Sequence, residues 1–180
     1  MRKAFNYAVP DVRRYIKSLA KEVLGYGFDG LELDFMSHPF LFRSGEERKF
    51  TDKLTDFVKD LKCVVDGSVG PEAKLMVRVP STVDRCLRIG IEIERWIREE
   101  IVDMISIGRC YTPFTIPTEE WAQKVRGTKC KIYPSTNLSV GHSRKEYNTI
   151  EALRAFSFLH HKLGADGIYL FNLFCPRTGW

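Results

Sequence analysis

The stretch from Tyr26 to Phe42 reads YGFDGLELDFMSHPFLF, and its reading decides the fold. Gly27 and the Asp29-Gly30 pair mark a turn. Leu31-Glu32-Leu33-Asp34-Phe35 then alternates strictly between apolar and acidic residues. In a strand, successive side chains point to opposite faces, so Leu31, Leu33 and Phe35 share one face and Glu32 and Asp34 the other. The two acids then have Cα atoms roughly 6.5–7 Å apart. A helical pattern precedes this strand and an aromatic loop follows it, as in a βα unit of a parallel sheet. Such strands usually read as continuous apolar runs, so two carboxylates on one need a reason. Barrel enzymes supply one, because their catalytic groups sit at the carboxyl ends of strands. The alternative is a half-exposed edge strand of an antiparallel sheet whose acids are simply solvated. The strand–helix spacing on either side favours the parallel arrangement.

Working outward, Asp11 starts a helix in which Val12, Tyr15, Ile16, Leu19, Val23 and Leu24 recur at helical spacing. After the acidic strand, Phe50, Leu54, Phe57, Val58 and Leu61 form the core stripe of a helix over 46–65, and 66–71 is a turn-rich break. Residues 74–80 (KLMVRVP) are a second strand, stopped by Pro80 and carrying the isolated charge of Arg78. Residues 84–100 are helical with an interruption at Gly90, and 102–108 (VDMISIG) form the third strand. A short helix over 119–125 leads to a fourth strand, CKIYP at 130–134. A polar loop over 135–148, a helix over 149–163 and a last strand over 168–171 complete the chain. Asp-Gly turns stand ahead of both the first and the last strand, at 29–30 and 166–167. Strands alternating with helices give an α/β protein with a parallel sheet of the (β/α) barrel type. About five strands are readable, too few for a full barrel of ~250 residues.

The 180 residues, 44% of them hydrophobic, suit one globular domain. No apolar run reaches the ~18 residues of a membrane span. No signal peptide is visible, which implies a cytoplasmic protein if the N-terminus is native. The net charge of +5 comes from Lys and Arg mixed with Glu and Asp along helices, the pattern of a solvated face, so no nucleic-acid or membrane partner is expected. The five cysteines form no CxxC pair. Neither a zinc site nor a disulfide framework follows, and no metal or cofactor is expected. Cys63 is read as core.

Five segments carry a resemblance to a known family: FNYAVPDVRRYI, YGFDGLELDFMSHP, LMVRVP, IERWIREEIVDMISIG and GADGIYLFN. Through them the chain resembles the carboxyl-terminal part of family-10-like glycosyl hydrolases, a group of (β/α)8 barrels. The resemblance implies that 31–35 is about the fourth barrel strand and 168–171 the eighth. A single barrel-like domain lacking its N-terminal strands is therefore expected. Its open sheet edges would invite association, including a homo-oligomer. FDGLELDFM is also similar to the strand signature of family-18 chitinases, whose final acid protonates the glycosidic oxygen. Here that position is Met36, which cannot donate a proton.

Glycoside hydrolysis usually uses two carboxyl groups. Asp34, nearest the strand's carboxyl end, is the first candidate. Glu32, one pleat deeper, is the second: it would act through Asp34 by like-charge repulsion, or instead form a structural ion pair with Arg78. Arg78 would orient either acid or bind a sugar hydroxyl. His38, in the loop after the strand, is a candidate for substrate contact. Tyr133, Asn172 and Tyr111 are candidates at or after strand ends. Phe40, Phe42, Phe114, Tyr147 and Trp180 offer rings to a sugar face. The stretch 132–135 has no acid, and Glu146 is a weak substitute. The expected function is hydrolysis of O-glycosidic bonds in an oligo- or polysaccharide. The alternative is a catalytically inactive carbohydrate-binding or scaffold fragment of a barrel enzyme. An aldolase is disfavoured because Lys74 and Lys131 begin their strands at the wrong end.

Overall fold

The computed structural model describes residues 4–108, 116–136 and 149–171. The elements follow in the order α1 (Pro10–Leu24), β1 (Gly30–Asp34), a 3-10 turn (Glu47–Phe50), α2 (Thr51–Val69) and β2 (Lys74–Val79). Then come α3 (Val83–Arg88), α4 (Ile93–Arg98), β3 (Met104–Ile107), α5 (Thr118–Val125), β4 (Lys131–Thr136), α6 (Ile150–Lys162) and β5 (Tyr169–Leu170). All pairings are parallel, and the five strands lie in sequence order from β1 to β5.

Alternation along these strands builds two unlike faces. Leu75, Val77, Val79, Ile105, Ile107 and Ile132 point outward and are fully buried under the helices. They meet Leu54, Val58, Leu61 and Val65 of α2, Trp96 of α4 and Trp121 of α5 in one core cluster. Each fully buried aliphatic side chain contributes about 1.5–3 kcal/mol, so this outer layer holds the fold together. The inner face carries Glu32 and Asp34, then Met76 and Arg78, Met104 and Ser106, and Lys131, Tyr133 and Ser135 on successive strands. The sheet curls around that face far enough for the Tyr169 hydroxyl of β5 to donate to Glu32 of β1, at 3.0 and 3.1 Å. The result is a half-barrel, as the alternating strand–helix pattern predicts.

Two aspartates lock the amino ends of strands. Asp103 takes the Leu75 N–H on Oδ2 at 2.8 Å while its own N–H donates to the Leu75 carbonyl. Asp166 repeats the arrangement with Ile132. Gly30 is required by close approach: a Cβ there would lie 2.3 Å from the Lys74 carbonyl oxygen. At Gly90, with φ +87, a Cβ would also strike the Phe42 ring at 2.6 Å, and the break expected there separates α3 from α4.

The structure departs from the sequence reading in four places. Helix α2 runs through the expected break to Val69, its last turn tied by the Lys62–Asp66 ion pair at 2.9 Å. Cys63 is exposed, because it lies on the side of α2 opposite Leu61 and Val65. Strand β4 continues past Pro134 to Thr136. Strand β5 shrinks to two residues. The shortness of β5 has a local cause. The Ile132 N–H donates to the Asp166 carboxylate and its carbonyl accepts from the Asp166 N–H, so its polar groups face β5, as do those of Pro134 two residues on. Proline has no N–H to give. The β4–β5 ladder is therefore confined to Ser135–Tyr169 and Thr136–Leu170.

Candidate active site

The parallel register decides which acid meets the arginine. Asp34 stands beside Arg78 and Glu32 beside Met76. The expected Glu32–Arg78 pair is thus replaced by Asp34–Arg78, with Nη1 at 3.1 and 3.0 Å from the two carboxylate oxygens. Arg78 is fully buried, and its guanidinium carbon lies 3.7 Å from the centre of the Phe171 ring. Such a contact suits a delocalised cation on an aromatic face. Asp34 also accepts from the backbone N–H of Met36 at 2.7 Å and of Ser37 at 3.2 Å, and from the Ser37 hydroxyl at 2.5 Å. Its lone pairs are committed to donors on every side. These bonds make the tight turn that carries the chain off the strand.

Glu32 is differently placed. Solvent reaches its surface, yet it sits inside the concave face, where surrounding protein strips part of its hydration. That desolvation pushes its carboxyl above the ordinary range; the Tyr169 bond works against the shift and the Asp34 charge adds to it. Like-charge repulsion from Asp34 thus adds to the desolvation that raises the proton affinity of Glu32. Burial, and then the Glu32 charge, push the Tyr169 phenol up to about 12, so it stays a donor. A carboxyl with raised proton affinity, as Glu32 has, is chemically able to carry and release a proton.

A cleft of ≈ 450 Å³ opens on Asp34, lined also by Phe5, Tyr7, Ser37, His38 and Phe40. His38 thus shares the cleft with Asp34. Phe40 is exposed and available there, but Phe42 is buried and stacked on Phe50, which removes it from the site. Tyr133 is half-buried on the inner face, in the row of Arg78 and Ser106, with its ring against Gly167. Met36 is buried, and its backbone N–H reaches Asp34. Asn172, Tyr111, Phe114, Glu146, Tyr147 and Trp180 lie outside the described residues. His160 is hydrogen-bonded to Thr118 Oγ1 at 2.7 Å and His161 Nδ1 meets the Ala165 carbonyl at 3.0 Å, so the adjacent rings have separate partners. Among the described residues no three His, Cys, Asp or Glu side chains converge as a metal centre would need.

Tyr169, Ser106, Ser135 and Phe171 were missed from the sequence. Alternation alone marks them: in MISI and IYLF the residues flanking Ser106 and Tyr169 are apolar and point outward.

No protein-family model matches the chain, and no curated protein does. Among solved structures, it is similar to the PgaB (BpsB) glycoside hydrolase domain from Bordetella bronchiseptica. The TM-score is 0.57 at 13% sequence identity, over 91% of this chain and 57% of that one. The chain therefore spans little more than half the length of that domain. At such identity the likeness is one of fold: an α/β half-barrel of parallel strands.

Proposed function

We propose that this protein is a carbohydrate-active member of the family-10-like glycosyl hydrolases, acting on O-glycosidic bonds of an oligo- or polysaccharide. One observation carries the reading. Two carboxyl groups lie adjacent on the concave face at the carboxyl end of β1, one tied to Arg78 and the other with its proton affinity raised. In this reading Glu32 carries the proton, Asp34 supplies fixed negative charge, and Arg78 and Tyr169 hold the two in place. The exposed Phe40 and Phe5, with His38, offer a sugar an amphipathic wall. The structural neighbour from Bordetella bronchiseptica is itself a glycoside hydrolase domain, which is consistent with this assignment.

The test is release of reducing ends from a panel of oligosaccharides by the wild type, Glu32→Gln and Asp34→Asn. Both variants should lose at least about a hundredfold in turnover, the usual weight of a proton-transfer group. Wild-type rates in folded Glu32→Gln would reject the assignment. A second reading, a catalytically silent carbohydrate binder, rests on two observations. Every Asp34 lone pair is already engaged, and the end of β4 brings no second acid. It predicts saturable binding without turnover.

A further inference from the structure

Building on the proposed carbohydrate site, we infer that the sugar it receives bears a carboxylate, as a uronate does, gripped by Arg78 with Ser106 and Ser135. The inference starts from bonds left unmade. Asp34 engages only Nη1 of Arg78. Arg78 Nε and Nη2, Ser106 Oγ and Ser135 Oγ are buried and have no hydrogen-bond partner among the described residues. Arg78, Ser106 and Ser135 are each fully buried. Buried polar atoms are nearly always paired, so four orphans in one patch mark a place where a partner belongs.

The three residues that carry these atoms are neighbours on the inner face. Arg78 and Ser106 are register partners on β2 and β3, and Ser135 lies one pleat beyond Tyr133, the register partner of Ser106. All three side chains belong to the inner face at the carboxyl ends of their strands; Arg78 and Ser106 share the register row of Asp34, and Ser135 lies one pleat beyond it. Asp34 lines the cleft of ≈ 450 Å³, and Arg78 is bonded to Asp34.

The chemistry of the missing partner follows from the shape of the donors. Nε–H and one N–H of Nη2 point the same way along one edge of the guanidinium, a fork that fits two oxygens of a planar carboxylate. The Phe171 ring covers a face of the group, so the acceptor must approach in the plane. The two serine hydroxyls can donate to the same oxygens. Neutral sugar hydroxyls would use this fork weakly, because charge-assisted bonds are about twice as strong as neutral ones. A phosphate would bring a second negative charge towards Asp34 and Glu32. One carboxylate is the best match.

Titration calorimetry with the wild-type protein decides the matter. The ligands are an oligosaccharide containing glucuronate and the same oligosaccharide with its carboxyl groups reduced to alcohols. The uronate form should bind at least about tenfold tighter. Arg78→Lys keeps the charge but loses the fork, and should erase that preference. Ser106→Ala should reduce it by a smaller factor. Equal affinity for the two sugars, or binding of neither, overturns the inference even if Arg78→Lys fails to fold. The two proposals fail separately. Uronate preference without turnover removes the hydrolase assignment alone, and hydrolysis of a neutral glycan without uronate preference removes this inference alone.

Discussion

Asp34→Asn isolates one charge in the candidate site. Asparagine keeps a carbonyl oxygen to accept from the Met36 and Ser37 N–H groups, and its amide can donate to the Ser37 hydroxyl, so the turn after β1 survives. What is lost is the counter-charge of Arg78, which is fully buried. Breaking a buried pair from one side costs about 3–5 kcal/mol. The Asp34 side chain retains 29% of its exposure, and solvent there weakens the attraction, so about 2 kcal/mol is the working figure. For a domain of this size that lowers Tm by roughly 4–8 °C. Removing both charges, as Asp34→Asn with Arg78→Met, should recover most of the loss, because no unpaired charge remains. Thermal unfolding by circular dichroism measures both. A single variant melting within about 1 °C of the wild type would show that Asp34 does not neutralise Arg78. The measurement also protects the activity test, since lost turnover in Asp34→Asn counts as chemistry only at temperatures where the variant is folded.

Gly30→Ala should destabilise by about 3 kcal/mol, since its Cβ would meet a backbone oxygen and push β1 from β2; denaturant titration reads this directly. Thr55→Val should cost about 1–3 kcal/mol by leaving the buried Trp96 indole N–H without the hydroxyl it donates to at 2.9 Å, and Thr55→Ser should restore most of it. The Glu32 carboxyl is raised by desolvation in the folded state, so its contribution to stability is fully present below the ordinary value of 4.5 and is lost as pH rises through the raised folded value. Glu32→Gln should remove that slope, seen as a wild-type-minus-variant difference in unfolding free energy that declines across this window; a difference flat with pH would contradict it.

The outer layer of the fold was legible because it is written in period. Leu31, Leu33, Val77 and Ile105 alternate against the helix stripes, and burial follows the alternation. The pairing of Asp34 with Arg78 was not legible, since both acids lie on one face and only the register between β1 and β2 chooses between them. Tyr169 was harder still. Its contact with Glu32 joins residues at opposite ends of the sheet, and nothing local encodes how far a sheet curls. Pro134 misled in another way: taken as the last residue of the fourth strand, it lies inside β4 and removes a donor from the neighbouring ladder instead.

That missing donor also bears on how the molecule opens. Strands β2 and β3 are paired on both sides, whereas β5 is held to β4 by a two-residue ladder. Amides of β5 should therefore exchange with solvent deuterium through a local opening well below the free energy of global unfolding, while those of β2 and β3 wait for the whole domain. Tyr169, the partner of Glu32, lies on this strand, and Phe171, the cover over Arg78, follows it directly. A single low-energy excursion of β5 would release both at once, baring the acids and the guanidinium edge while the hydrophobic layer beneath stays folded.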